Sequence, residues 1–122
     1  MIDKLFVAGL SAHLSIACGC VAMAADVDRG KIVFQQCAAC HSERPGVLGP
    51  SLRGVFGRKS ASVEGFRYFD AMTRANLTWD EASLRAYISD PQAKVKGNRM
   101  PFSGLNNPAD LDDLIAFLKD YK

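Results

Sequence analysis

The chain of 122 residues is the size of one domain, and its glycines and prolines are spread along the sequence rather than gathered into a linker. Lysine and arginine number 15 against 13 acidic residues, far from the basic surplus of a protein that coats nucleic acid. The sequence shows no internal repeat, glycine-rich phosphate loop or Ser/His pairing that would indicate a repeat array or a catalytic site. We therefore expect one compact domain that does not bind nucleic acid.

Residues 1–24 have the features of a secretory signal peptide. Lys4 precedes an apolar stretch, Leu5 to Ala24, which ends in Ala22-Met23-Ala24 and so places small residues at the two positions that a signal peptidase requires. We predict cleavage after Ala24, which leaves a mature domain of residues 25–122.

An uncleaved membrane anchor is the alternative, because the apolar stretch approaches the length that spans a bilayer. Three residues interrupt this stretch, namely Ser11, His13 and Ser15, and a single lysine flanks it. Both features favour cleavage over a membrane anchor. Lipid attachment at Cys18 or Cys20 is less favoured, since neither cysteine follows the leucine-and-small-residue pattern that such attachment needs.

The first helix of the mature chain is predicted to begin after Asp26 or Asp28 and to run to about Ala38. One side of it carries Val27, Phe34 and Cys37. Gly30 offers a place where another helix can approach closely. From His41 to Ala61, glycines and prolines break any regular period, and a loop of that length in a compact domain usually binds a ligand.

Three further helices follow in the sequence. A short one covers 69–74, and Thr78 with Glu81 forms a capping box for the next, which Pro91 ends. A second loop then covers 94–106.

The last helix begins with Asn107 as its N-cap and Pro108 in its first turn. Its apolar stripe has the spacing i, i+3, i+4 and i+7: Leu111, Leu114, Ile115 and Leu118. These patterns predict an all-α fold of three to five helices with long loops.

The motif Cys37-Ala38-Ala39-Cys40-His41 predicts the chemistry. Its two thiols lie on one helical turn and can add to the two vinyl groups of haem, while the adjacent histidine reaches the iron. A redox-active disulfide would need a strand before the cysteines, where a helix is predicted instead. A zinc site would lack a fourth ligand, because the mature chain holds no further cysteine or histidine. We predict one haem c, bound covalently through Cys37 and Cys40.

The iron ligands are predicted to be His41 and Met100. The second ring nitrogen of His41 needs an acceptor, for which a nearby carbonyl such as that of Pro50 would serve. Pro101 favours an extended backbone at Met100, which lets the loop lay its thioether against the iron. Met72 lies on the predicted short helix, where a packing or solvent-facing role is the simpler interpretation. With both of these ligands bound, the iron would have no open position for oxygen or peroxide.

A series of further motifs extends over residues 28–121. They are Gly30, Phe34, Gly49-Pro50-Ser51-Leu52, Phe56-Gly57-Arg58-Lys59, Gly65-Phe66-Arg67-Tyr68, Trp79, Tyr87, Met100-Pro101-Phe102, Gly104 and Asp113-Leu114-Ile115-Ala116-Phe117-Leu118. In their order and spacing the chain resembles class I cytochrome c, and within that class the small periplasmic cytochromes of bacteria that are similar to mitochondrial cytochrome c.

The resemblance implies a cytochrome c fold wrapped around one haem. Pro50 would offer its carbonyl to the haem histidine, and Tyr87 would lie near the methionine sulfur. Three residues would surround a haem propionate: Arg58, Tyr68 and Trp79. The first and last helices would cross through four residues: Gly30, Phe34, Leu114 and Phe117.

The sequence also departs from that family. Met72 stands where the mitochondrial proteins have a buried asparagine, and Phe66 where they often have tyrosine, so the propionate and its water network are expected to be arranged differently. The loop between His41 and Pro50 is shorter. The lysine ring that binds mitochondrial partners is thin, and the charges expected near the haem edge are Lys59, Lys94, Lys96 and Arg99. Each one alone is more simply explained as solvated surface.

The function implied is that of an electron carrier rather than an enzyme. We expect a periplasmic monomer that exchanges electrons in brief, weak encounters with a quinol-oxidising complex, a terminal oxidase or a periplasmic dehydrogenase. A stable membrane insertion is not expected after cleavage; the alternative is a membrane-anchored form that faces the periplasm. A subunit permanently bound to a dehydrogenase or oxidase stays open, as does a haem sensor or weak peroxidase if Met100 is labile. Folding should depend on haem, because a few short helices bury little apolar surface alone.

Overall fold

The computed structural model describes residue 9 and residues 11–122. Five helices follow one another in this part of the chain: α1 (Val27–His41), α2 (Asp70–Ala75), α3 (Glu81–Ser89), α4 (Pro91–Lys94) and α5 (Pro108–Asp120). The same residues contain no strand, only an isolated antiparallel bridge between Lys59 and Thr78. The predicted all-α class, with three to five helices and long loops, is confirmed.

The predicted signal peptide lies partly outside the described residues, since positions 1–8 and 10, with Lys4 and Leu5, are not among them. From 11 to 26 the chain has no regular secondary structure, and its side chains are exposed. None of the helices within the described ranges combines the length and the apolar character of a membrane span.

Helix α1 begins at its predicted cap and ends later than predicted. The Asp26 carboxylate accepts hydrogen bonds from the backbone N–H groups of Asp28 (2.9 Å) and Arg29 (3.1 Å). The helix continues through His41, three residues beyond the predicted end, so the whole haem motif is helical. Val27, the first residue of the helix, is 40% exposed rather than packed.

In the middle of the chain one local prediction is wrong and another is incomplete. Thr78 does not cap α3, because its backbone is engaged in the bridge to Lys59; the cap is Asp80, whose carboxylate accepts from the Ser83 N–H at 2.8 Å. Pro91 ends α3 but also begins α4, which the sequence analysis assigned to no helix.

Helix α5 forms as predicted, with the Asn107 side chain accepting from the N–H groups of Ala109 (2.9 Å) and Asp110 (3.1 Å). Its buried face carries Leu111, Asp113, Leu114, Ile115 and Leu118.

Helices α1 and α5 cross at Gly30. A Cβ at this position would overlap the backbone carbonyl of Asp113, so only glycine allows the two backbones to meet. One turn further on, the Phe34 ring packs against Phe117 and Tyr121, with ring centroids 5.0 Å apart in both pairs. The buried Asp113 carboxylate accepts from the Asp26 N–H at 2.7 Å, which also ties the start of α1 to α5.

We predict that Gly30→Ala destabilises the folded protein by about 1–3 kcal/mol, because the added methyl forces the two helices apart. In an open helix the same change would stabilise by roughly 0.5–1 kcal/mol. Denaturant unfolding of the haem-loaded protein measures the difference. Lys31→Ala, at the next and exposed position of α1, serves as the control. Equal stability of the two variants would contradict the close crossing.

Candidate functional site

A cavity of about 390 Å³ lies at the centre of the domain, within the usual range for a cofactor site. Seven of the ten buried residues of the hydrophobic core line it: Phe34, Val55, Trp79, Leu84, Tyr87, Leu114 and Leu118. The helices therefore enclose this space rather than fill it with their own side chains.

The end of α1 brings Cys37, Cys40 and His41 to one wall of the cavity. Both cysteines are half-buried free thiols, three positions apart on the helix. Burial, and secondarily the neighbouring Cys40, raises the pKa of the Cys37 thiol to about 11.

The His41 ring is held in one orientation by the loop that follows α1. Its Nδ1 lies 2.7 Å from the carbonyl oxygen of Pro50, so Nδ1 donates and Nε2 keeps its lone pair. Burial lowers the pKa of His41, and the hydrogen bond to Pro50 opposes that shift only in part. A neutral imidazole with a free Nε2 is the form that binds a metal.

Gly49 is a further residue of this site whose role the sequence analysis did not assign. A Cβ at Gly49 would lie 2.5 Å from both Cε1 and Nδ1 of His41, so the ring packs directly on the backbone. The Gly49 N–H also donates to the carbonyl of Cys40 at 2.8 Å, which folds the loop back onto α1. The Gly-Pro pair was visible in the sequence, but its contact with His41 depends on the path of the loop.

Met100 faces the same cavity from the loop between α4 and α5. The hydroxyl of Tyr87 donates to its Sδ at 3.9 Å. Burial raises the pKa of Tyr87 to about 12, so the hydroxyl stays protonated. Met72 also lines the cavity and packs against the core, which excludes a purely solvent-facing role. Two thioethers therefore have access to the site.

The three residues expected around a propionate also line the cavity. The Arg58 guanidinium donates to the carbonyls of Arg53 (2.8 Å) and Ser51 (2.9 Å), and the Tyr68 hydroxyl accepts from the Val63 N–H at 3.1 Å. The Trp79 ring packs on Tyr87 with centroids 5.1 Å apart. All nine site residues singled out in the sequence thus border one space: Cys37, Cys40, His41, Pro50, Arg58, Tyr68, Trp79, Tyr87 and Met100.

The charges expected at the haem edge divide into two groups. Lys59 and Arg99 border the cavity, as expected. Lys94 and Lys96 do not; they border a separate small groove beside Arg74. Val95, which lies between them and is buried at 5% exposure, borders the same groove rather than the cavity.

The comparison with known families agrees with this geometry. The family model for cytochrome c matches residues 27–122, which include every residue that lines the cavity. The chain belongs to the cytochrome c family.

Relatives of this cytochrome include cytochrome c2 of Rhodoblastus acidophilus, which is 50% identical over 102 residues that cover 81% of this chain and 95% of the relative. Cytochrome c2 of Blastochloris viridis is 45% identical over 103 residues, 82% of this chain and 81% of the relative. Among solved structures, cytochrome cH from Methylobacterium extorquens superposes with a TM-score of 0.74 at 40% identity, covering 78% of this chain and 98% of that one. The predicted fold is thereby confirmed.

The cavity residues fit the cofactor of the family. The space is apolar, two thiols at the spacing of the haem motif stand beside it, and the imidazole that follows them keeps a free nitrogen. The predicted haem c is confirmed: this cytochrome carries one haem, attached covalently through Cys37 and Cys40, next to His41.

The size of the cavity supports the expectation that folding depends on the cofactor. At about 24 cal/mol for each Å³, a chain without haem would face a cost on the order of 9 kcal/mol, unless the walls collapsed. That is comparable with the whole free energy of unfolding of a small domain, about 5–15 kcal/mol.

We predict that Cys37→Ala combined with Cys40→Ala leaves a largely unfolded chain in cells that export and mature the protein. Far-UV circular dichroism with a thermal scan tests this. Cys18→Ala with Cys20→Ala provides a matched control, because those cysteines are exposed and lie outside the domain. A cooperative thermal transition of the haem-free double variant would refute the dependence.

Proposed function

We propose that this cytochrome is a single-haem electron carrier of the periplasm, in which His41 and Met100 are the two axial ligands of the iron. The observation that carries the proposal is that the His41 imidazole and the Met100 thioether line one apolar cavity, beside the two cysteines of the haem motif. When bound, the haem supplies a one-electron couple between ferric and ferrous iron.

The chain's own residues favour the reduced form. A thioether is a soft ligand that stabilises ferrous over ferric iron, and apolar walls such as Leu84 and Leu114 disfavour the additional positive charge of the oxidised site. The Tyr87 hydroxyl, the hydrogen-bond partner of the sulfur, restricts the orientation of the thioether. The soft thioether ligand and the apolar walls both raise the reduction potential, which suits a carrier that accepts electrons from donors at the level of quinol.

Electron exchange would take place at the rim of the cavity. The exposed side chains that border it are Gln36, Leu48, Lys59, Phe69, Arg99 and Pro101. Leu48 is 76% exposed, and the charges among the six are two cations. A rim of six exposed side chains would support a small, short-lived contact with a quinol-oxidising complex, a terminal oxidase or a periplasmic dehydrogenase.

Absorption spectroscopy of the purified protein, oxidised and then reduced, tests the ligand assignment. Methionine sulfur bound to ferric haem gives a weak red band, which we expect in the wild type and in Met72→Ala but not in Met100→Ala. Met72→Ala is a matched control, since both methionines line the cavity. If the band is absent from the wild type, or if the ferrous protein readily binds carbon monoxide, a ligand-binding function such as a haem sensor or weak peroxidase replaces the carrier.

Export is supported by the small residues Ala22 and Ala24 and by the exposed, irregular chain between 11 and 26. We predict that the haem-loaded protein begins at Ala25, and mass spectrometry of the protein released from the periplasm measures this. Ala24→Leu should block cleavage and leave the precursor on the membrane. A wild-type protein that keeps residues 1–24 and sediments with membranes would favour the anchored form instead.

A further inference from the structure

Asn98 is one of two buried polar side chains in the described part of the chain, at 5% exposure, and lies two residues before Met100. Its Nδ2 donates to the carbonyl oxygens of Pro91 at 2.8 Å and Val95 at 2.9 Å. Its Oδ1 accepts from the backbone N–H of Met100 at 3.0 Å. Both amide protons and the amide oxygen are therefore in use.

These hydrogen bonds join Met100 to the end of α4. The carbonyl of Pro91 also accepts from the Val95 N–H at 2.9 Å, and the carbonyl of Val95 accepts from the Asn98 N–H at 3.1 Å. Gln92 of the same helix adds a second hold, because its Nε2 donates to the Asn98 carbonyl at 2.7 Å and its Oε1 accepts from the Gly97 N–H at 3.3 Å.

The other end of the Met100 loop is fixed on α3. The Leu105 N–H donates to the carbonyl of Ile88 at 2.9 Å, and Gly104, at φ 116°, packs so closely that a Cβ would overlap the carbonyl of Ser89. Within the described residues, the Met100 N–H donates only to Asn98 Oδ1. The Asn98 amide is therefore the direct tether of the Met100 backbone.

We propose that Asn98 is a positioning residue for Met100: its amide fixes the Met100 backbone against α4 and so determines how strongly the thioether resists displacement from the iron by external ligands. The inference rests on the proposed ligation by Met100. A loop held in place keeps the sulfur at a high effective concentration beside the iron, whereas a freed loop lets a competitor in. Only an amide combines two donors with one acceptor at this size, so neither a carboxylate nor an aliphatic side chain would replace it.

Titration of the ferric protein with imidazole, followed by the loss of the red band, tests the role of Asn98. We expect Asn98→Ala to bind imidazole about tenfold more tightly than the wild type, or more. Gln92→Ala, which leaves the Asn98 amide in place and removes an exposed side chain, should shift the affinity in the same direction by roughly threefold. The free energy of unfolding of each variant is measured alongside.

Asp113→Ala is the matched control. Asp113 is the other buried polar side chain, and it holds Asp26 and Arg29 to α5 without lining the cavity. It should lower the free energy of unfolding and leave the imidazole affinity within about twofold of the wild type. An equal gain in imidazole affinity in Asp113→Ala would mean that general destabilisation is the cause, and would overturn the positioning role.

The remaining outcomes separate this inference from the ligand assignment. A wild type without the red band overturns both. If the band is present and is lost in Met100→Ala, but Asn98→Ala binds imidazole like the wild type, only the positioning role is wrong. Should Asn98→Ala not accumulate with haem, Asn98→Asp decides, because it keeps an acceptor for the Met100 N–H but loses both donors to the carbonyls of Pro91 and Val95; an unchanged imidazole affinity in that variant would overturn the role.

Discussion

The apolar cavity is the constraint on which the rest of the structure depends. Within the described residues, direct packing between helices is confined to α1 on α5, α4 on α3, and α3 on α5, and seven of the ten buried hydrophobic residues line the cavity. Without a large apolar group at its centre, a domain organised in this way would leave the cavity empty or lose core packing as its walls collapsed. Covalent attachment at the end of α1 supplies that group at a fixed position, and we therefore expect the chain to fold as the cofactor is attached.

The two sides of the cavity are held by different means. His41 stands at the end of a 15-residue helix that is fixed to α5 at Gly30, and its ring is packed on Gly49 and hydrogen-bonded to Pro50. Met100 stands in a loop, and hydrogen bonds at the two ends of the loop determine its position. Removing Met100 from the site requires only that a few hydrogen bonds break, whereas removing His41 requires the helix to move. Any exchange of ligands would therefore begin on the Met100 side.

Much of the fold and site could be predicted because the relevant information is local. The haem motif, the Asn107-Pro108 start of α5 and the close approach at Gly30 each depend on residue types at short spacing. The wrong cap was predicted where a contact with a distant part of the chain overrides a local pattern. Thr78 matches a capping box, but its backbone is paired with that of Lys59. The role of the Asn98 amide could not be predicted although its partners Pro91, Val95 and Met100 are near in sequence, since an isolated asparagine in a loop carries no sign of the carbonyls it will meet.

The distribution of charge bears on how such a carrier meets its partners. Four of the eight arginines, together with Lys119, form ion pairs on the surface: Arg29, Arg53, Arg74, Arg85 and Lys119. At the rim of the cavity, Arg99 lies over the Phe69 ring at 5.0 Å, while Leu48 stands exposed. Because the exposed rim carries two cations, we expect electrostatic steering over distance to contribute little and the encounter to depend on short-range contact of the apolar rim. A contact of that kind separates quickly. A carrier requires this, because it must leave one partner before it can reach the next.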